Sequence, residues 1–288
     1  MMFIVGALIV LACVVGGYIG AGGHLGVLFQ PFEVVIIVGA GMGGFVIANP
    51  KPVLIRSFTA FGDLLRGPKY TKESYLEILS LLYQVFKLAR TKGMLALETH
   101  VENPNDSALF QQFPGVLKNH HAMTFLCDYL RLLTLGTDNA MEMETLMDEE
   151  IETHHAEARQ VADAWQTMAD GLPALGIVAA VLGVIHTMGL ITEPPEVLGH
   201  SIGGALVGTF MGVLLSYGFV GPIARSLTNI YDAEAKYYQC IKAAILAYVQ
   251  GYAPAVAVEF GRKALISTVR PTFYEVEEAV SALPAPQA

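Results

Sequence analysis

The 288-residue chain is 53% hydrophobic and 15% charged, with a mean hydropathy of +0.50. Ordinary soluble domains carry about 25% charged residues, so much of this chain is suited to lipid. A formal net charge of −9 leaves no basic face to neutralise phosphates, which excludes nucleic acid as a partner.

Residues 1–21 carry no charge and would reach about 30 Å as a helix. A secretory signal would open with a basic segment and a shorter apolar run of about 7–15 residues, so this stretch is expected to stay as a membrane span. A second apolar run covers 33–49, with one acid, Glu33, at its mouth; a third covers 172–191 and a fourth 201–223. The expectation is an all-α integral membrane protein with four transmembrane helices, a large helical cytoplasmic loop and a helical C-terminal tail. Its segments are 1–49, a first transmembrane pair; 50–170, the loop; 171–223, a second transmembrane pair; and 224–288, the tail.

Basic residues set the orientation. All 17 Lys and Arg fall within 50–170 or after 223, and the short connections 22–32 and 192–200 have none. Positive charge prefers the cytoplasmic side, which places the loop, the tail and both termini inside. Cys13, Cys127 and Cys240 form no CxxC pair, so they predict neither a disulfide framework nor a zinc site, in keeping with a cytoplasm-facing protein.

The fourth span carries Gly204, Gly208, Gly212 and Ser216 at four-residue steps, and the third carries Ala179, Gly183 and Thr187. Small residues at that spacing form grooves for close helix approach in lipid, either inside one bundle or against a second protein. Thr209 and Ser216, seven apart, share a face, although a hydroxyl in a span commonly bonds its own backbone. His186 near the end of the third span reads as interfacial or packed. No Asp or Glu lies deep in any span. Intramembrane carboxylates normally mark ion relays, so an ion path here would take its titrating group from a partner helix.

In the loop, 71–92 reads as an amphipathic helix capped by Ser74 and Glu77, with a polar stripe of Glu73, Glu77, Ser80, Gln84 and Lys87. Leu76, Leu79, Tyr83 and Phe86 form its apolar line, and Gly93 interrupts it. A second helical region covers 116–135. A third, capped by Asp138, holds seven acids between Glu142 and Glu157. Glu150 and His154 share a face there, but no second ligand pair supports a metal site, and a solvated acidic face is the preferred reading. Residues 224–250 continue the fourth span as a helix. The signatures GxxxxGK[ST] and HExxH are absent, and the run from Gly39 to Gly44 lies inside an uncharged span, so no enzymatic activity is expected.

Together these residues resemble the flagellar motor stator family MotA, of the MotA/ExbB/TolQ superfamily. The most specific pieces are Gly22-Gly-His-Leu-Gly26 with Gln30-Pro31, Arg90-Thr-Lys-Gly-Met-Leu-Ala-Leu-Glu98, Met147-Asp-Glu-Glu-Ile-Glu152 and Pro173-Ala-Leu-Gly-Ile-Val-Ala-Ala180. Gly208-Thr-Phe-Met-Gly212, Tyr217-Gly218 with Pro222, and the segment 251–263 complete the pattern. The resemblance implies a proton-conducting stator subunit of the inner membrane, needing no cofactor beyond the conducted ion. It implies a ring of five around two copies of MotB, whose single span carries an aspartate, and contact with the rotor protein FliG. Carried over by position, Arg90 and Glu98 would face the rotor, Thr209 would line the ion path, and Pro173 and Pro222 would couple ion passage to movement. Asp170 and Glu150 match acids near the inner mouth.

Met211 and Ser216 depart from the pattern, where Leu and Ala are expected. A sodium-driven stator and an ExbB/TolQ-like energising subunit are the alternatives; the latter group usually has three spans and an outward N-terminus. Pro173 is expected in the first turn of the third span, where a missing N–H costs little.

Overall fold

A computed structural model describes residues 2–66, 69–137 and 139–284. All regular structure among the described residues is helical. In chain order the helices are α1 (Met2–Gly20), α2 (Leu25–Leu28), α3 (Pro31–Ala48), α4 (Lys51–Arg66), α5 (Lys72–Lys92), α6 (Glu98–Glu102), α7 (Pro114–Leu117) and α8 (His120–Thr134). They continue as α9 (Ala140–Met188), α10 (Pro195–Leu215), α11 (Gly221–Val249), α12 (Pro254–Lys263) and α13 (Phe273–Ser281). Four helical stretches are long and apolar enough to cross a membrane: α1, α2 with α3, the apolar part of α9, and α10 running on towards α11. Each holds at least the roughly 20 residues that a bilayer core of about 30 Å requires, or nearly so.

The third span is no separate helix. It is the apolar end of α9, which runs for 49 residues without a break and carries Pro173 in its interior. Pro173 therefore does not occupy a first turn as expected from sequence: it removes an interior hydrogen bond, a defect that generally costs a helix about 3 kcal/mol or more. Flanking charge hid this, because acidic residues before 171 look like a loop when only hydropathy is read. The fourth span starts at Pro195 and reaches Leu215, then passes through a π-helical turn, Ser216–Val220, before α11 carries the helix to Val249 as the continuation over 224–250 anticipated.

The chain divides into two compact units. The first comprises Met1–Gly67 and Glu157–Ile230. Its centre is small: Ile37, Leu172 and Ala179 are buried, with Met168, Leu175 and Met211 packed against them. Trp165, the chain's one tryptophan, joins α9 to α3 and α4, with its ring centroid 5.0 Å from those of both Phe45 and Phe61. No residue of α1 is buried, as suits a helix whose surroundings are lipid or other subunits.

The second unit, Pro68–Ala156 with Tyr231–Ala288, has a broad apolar core around α5. That helix packs against α12, α13, α7 and the turn Met94–Leu97. Its cap is formed by Thr71 and Ser74, not by Ser74 and Glu77: Thr71 Oγ1 accepts from the Ser74 N–H, and Ser74 Oγ accepts from the Thr71 N–H. Glu77 instead reaches across to accept the Gly115 N–H at 2.6 Å. The polar stripe read along this helix is partly internal, since Ser80 and Gln84 are buried and the Gln84 amide donates to the Pro284 carbonyl at 2.7 Å. The helix expected over 116–135 is divided into α7 and α8, and the cap assigned to Asp138 lies outside the described residues.

One polar cluster in this unit has a measurable consequence. Glu234 accepts from Lys69 Nζ at 2.7 Å and from the Tyr70 hydroxyl at 3.2 Å, while Tyr70 stacks on Tyr237 at 4.3 Å. Burial pushes the Glu234 carboxyl pKa up, but Lys69, the nearby His154 and the Tyr70 hydroxyl outweigh it and hold the value below 4.5. A depressed folded-state pKa stabilises above the unfolded value and loses that contribution as pH falls through the folded one. Lys69→Met should therefore lower the melting temperature of this unit at pH 7. The deficit should narrow below about pH 4, where the parent loses the same interaction. A deficit independent of pH in thermal melts from pH 3 to 7 would rule out the ion pair as its cause.

Candidate functional site: a glycine-lined seam and two exposed charges

The first unit contains a seam where α9 and α10 meet with almost no side chain between them. A Cβ on Gly176 would lie 2.8 Å from the Gly208 carbonyl oxygen, and one on Gly212 would lie 2.6 Å from the Leu172 carbonyl oxygen and 2.8 Å from Gly176 Cα. Gly183 faces Ala205 in the same way, at 2.7 Å from its Cβ. The groove seen in the sequence is thus filled within the chain: the third and fourth spans are packed on each other through it. In lipid, where apolar burial drives little association, such close contact of backbones is the main source of helix affinity.

Thr209 follows Gly208 on this seam and is half-buried. Thr187 bonds its own helix, donating to the Gly183 carbonyl at 2.9 Å, as hydroxyls in spans commonly do. Ser216 does not. It is buried and donates to the Ala169 carbonyl of the facing helix at 2.6 Å. Pro173 and Pro222 also lie in this unit, Pro222 as the second residue of α11, one residue after the π turn. A π turn inside a long helix is uncommon and tends to mark functional positions.

Sequence reasoning missed the place of Glu33. It sits in the first turn of α3, as its position at a span mouth suggests, but its carboxylate reaches the seam. Cβ atoms built on Gly208 and Gly183 would meet its oxygens at 2.7 and 3.3 Å, and Oε2 is occluded with no hydrogen-bond partner. Two glycines on separate spans opposite a flexible acid were the available signal, and only the fold brings the three together.

The remaining predicted residues are distributed between the units. Asp170 is exposed in the first and accepts from Gln166 Nε2 at 2.8 Å. Glu150 belongs to the second, where its Oε2 accepts from the Tyr129 hydroxyl at 2.7 Å. The two acids thus share no common cluster within one unit. His154 on that helix packs against the rings of His121 and Tyr238. No group of three His, Cys, Asp or Glu side chains suited to a metal occurs among the described residues.

Arg90 and Glu98 are both exposed in the second unit. Gly93, at φ +87°, ends α5 and donates its N–H to the Ala89 carbonyl, so the interruption anticipated there is real. Arg90 therefore stands in the last turn of α5, and Glu98 opens α6 after the turn Met94–Leu97. Neither makes an ion pair with another described residue. Exposed charges that pair with no described residue can meet a partner without first breaking an ion pair of this kind.

Fold and site define a multi-pass helical membrane protein whose third and fourth spans form a tight, proline-bearing pair, and whose second compact unit has an apolar core of its own. Residues 4–93 match the family described as motility protein A N-terminal, and residues 118–240 match the MotA/TolQ/ExbB proton channel family. Motility protein A of Escherichia coli is 46% identical over 287 residues, covering 100% of this chain and 97% of its own length. The chemotaxis protein LafT of Vibrio parahaemolyticus is 35% identical, over 95% of this chain and 96% of its own. In fold, the chain is similar to C. jejuni MotAB, with a TM-score of 0.77 at 19% identity over 92% of this chain and 96% of that one. It is also similar to the flagellar MotAB stator complex from Bacillus subtilis, with a TM-score of 0.73 at 24% identity over 96% and 98%.

The chain belongs to the MotA/TolQ/ExbB proton channel family, on its motility protein A branch. It is a non-enzymatic, ion-conducting stator subunit of the flagellar motor in the bacterial inner membrane.

Proposed function

We propose that this subunit forms five-membered rings around two MotB chains, that the aspartate of the MotB span supplies the titrating carboxylate, and that torque reaches FliG through Arg90 and Glu98. The observation that carries this reading is the seam. Spans three and four are locked together over glycine, and among the described residues no acid lies deep in either span to relay protons across the membrane, Glu196 standing only in the first turn of α10. Glu33 brings one carboxylate to the seam, and a single acid on a first turn does not make a transmembrane relay. Thr209 on the seam is the hydroxyl we assign to the ion path, with Asp170 and Glu150 as acids that draw protons towards the cytoplasm. Pro173 and Pro222 interrupt the hydrogen bonding of the two packed helices, and such defects are where a helix pair can change shape at low cost. Each proton crossing supplies about 2.3 kcal/mol per 100 mV of membrane potential. Protonation of the partner's aspartate would alter its packing on the seam, and the proline-bearing segments would pass that change to the rotor-facing charges. Both termini then face the cytoplasm, a placement supported by the confinement of all 17 basic residues to 50–170 and the tail.

Exposed charges steer encounters more than they bind. Single reversals Arg90→Glu and Glu98→Lys are therefore expected to slow swimming, and the double reversal to reduce it severely, with the amount of chain in the membrane unchanged. Normal swimming of the double reversal would remove these residues from the rotor contact.

A further inference from the structure

Proline has no N–H, and the acceptor that this missing donor would serve in an α-helix is the carbonyl four residues earlier. For Pro173 inside α9 that acceptor is the Ala169 carbonyl. The Ser216 hydroxyl, only 2% exposed, donates to this same oxygen at 2.6 Å. The bond crosses from the fourth span to the third. Thr187 and Thr228 of the first unit, by contrast, stay on their own helices, bonding the Gly183 and Ala224 carbonyls.

Ser216 also opens the π turn Ser216–Val220, and its own carbonyl accepts the Gly221 N–H, one residue before Pro222. One residue therefore touches the irregularities of both helices. The side chain serves the carbonyl that Pro173 leaves without its usual donor, and the backbone closes the wide turn that precedes Pro222. Leu172 and Ala169 are both buried at this level, so no solvent takes the place of the hydroxyl. A buried carbonyl that loses its partner is costly, which gives the arrangement energetic weight.

We infer that Ser216 is a positioning residue of the coupling joint: its hydroxyl substitutes for the N–H absent at Pro173 and so binds the two proline-bearing segments into one unit. The claim that this unit transmits movement rests on the coupling role proposed above for the prolines; the hydrogen-bond substitution itself does not. The family pattern leads one to expect alanine at 216, so the hydroxyl is a feature of this chain's own sequence.

The test is a double-mutant cycle on the full chain, purified with its MotB partner in nanodiscs. Ser216→Ala should lower the melting temperature by about 2–4 °C, the usual size for one hydrogen bond in a domain of this length. In a Pro173→Ala background the restored backbone N–H takes the Ala169 carbonyl, and the same serine change should have little further effect. If Pro173→Ala does not assemble, Pro173→Gly restores the same N–H with no side chain. Ser216→Cys, with a much weaker donor, should resemble Ser216→Ala. Equal losses in both backgrounds, or no loss in either, would overturn the inference, because Ser216 would then be mere filling.

Swimming speed separates the two layers. With the substitution intact, Ser216→Ala should swim more slowly at an unchanged membrane level, and unchanged speed would leave Ser216 no part in positioning the joint. If Pro173→Ala swims normally, the coupling role of the proline is lost while the hydrogen-bond substitution stands on the melting data.

Discussion

Gly212→Val is expected to abolish motility while the chain still inserts in the membrane. The new Cβ would lie 2.6 Å from the Leu172 carbonyl oxygen and 2.8 Å from Gly176 Cα, both backbone atoms that no rotamer change can move. Normal contacts of this kind begin at about 3.5 Å, so the two spans would have to separate by about 1 Å at their point of closest approach. Overpacking in a tight core generally costs about 1–3 kcal/mol, and here the γ-methyls add to the displacement. The damage would fall on the seam that holds Thr209 and the Ser216 hydrogen bond. Gly212→Ala should already impair swimming, because Cβ alone makes the clash. Gly199→Ala, on the same helix with no atom within 4 Å of its Cβ position, is the matched control and should swim as the parent does. Immunoblots of membrane fractions would show whether insertion is retained. Normal swimming with Gly212→Val would mean that the seam opens in the working protein.

The relation between sequence and structure varies from element to element. Long uncharged runs leave little choice in lipid but a helix, because every backbone polar group must be satisfied internally. The four spans were legible for that reason. Gly93 was legible too, since it ends an otherwise unbroken helical pattern, and its φ of +87° is one that side chains resist. Pro173 was misplaced because hydropathy marks where lipid begins, and α9 does not begin there. The burial of Ser80 and Gln84 is not legible from their place in a polar stripe, because periodicity shows which residues share a face, not what covers that face; α12, α13 and the segment near Pro284 cover much of α5. The glycine spacing announced a groove, but only the fold shows that the chain fills it itself. Glu33 and Ser216 were hardest of all. Each depends on a partner on another helix, 47 residues away for Ser216 and Ala169, and no local pattern encodes such a meeting. Arg90 and Glu98 stand between these cases. Their exposure follows from the structure, while the rotor role proposed for them comes from the family pattern, and the lack of an ion pair at either among the described residues agrees with that proposal.

On the function proposed above, this chain is one half of an ion path, with the other half on a single-span partner bearing an aspartate. The largest effect predicted here follows directly, because conduction should be all or none with respect to that partner. Proton flux into liposomes can be followed with an interior pH dye under an imposed potential, first with this chain alone and then with the chain co-reconstituted with MotB. The account predicts no flux above that of empty liposomes for the chain alone. It predicts a clear potential-driven flux for the pair, lost when the partner's aspartate is replaced by alanine and independent of sodium. Equal flux with and without the partner would contradict the account, because the chain would then hold a complete proton path of its own.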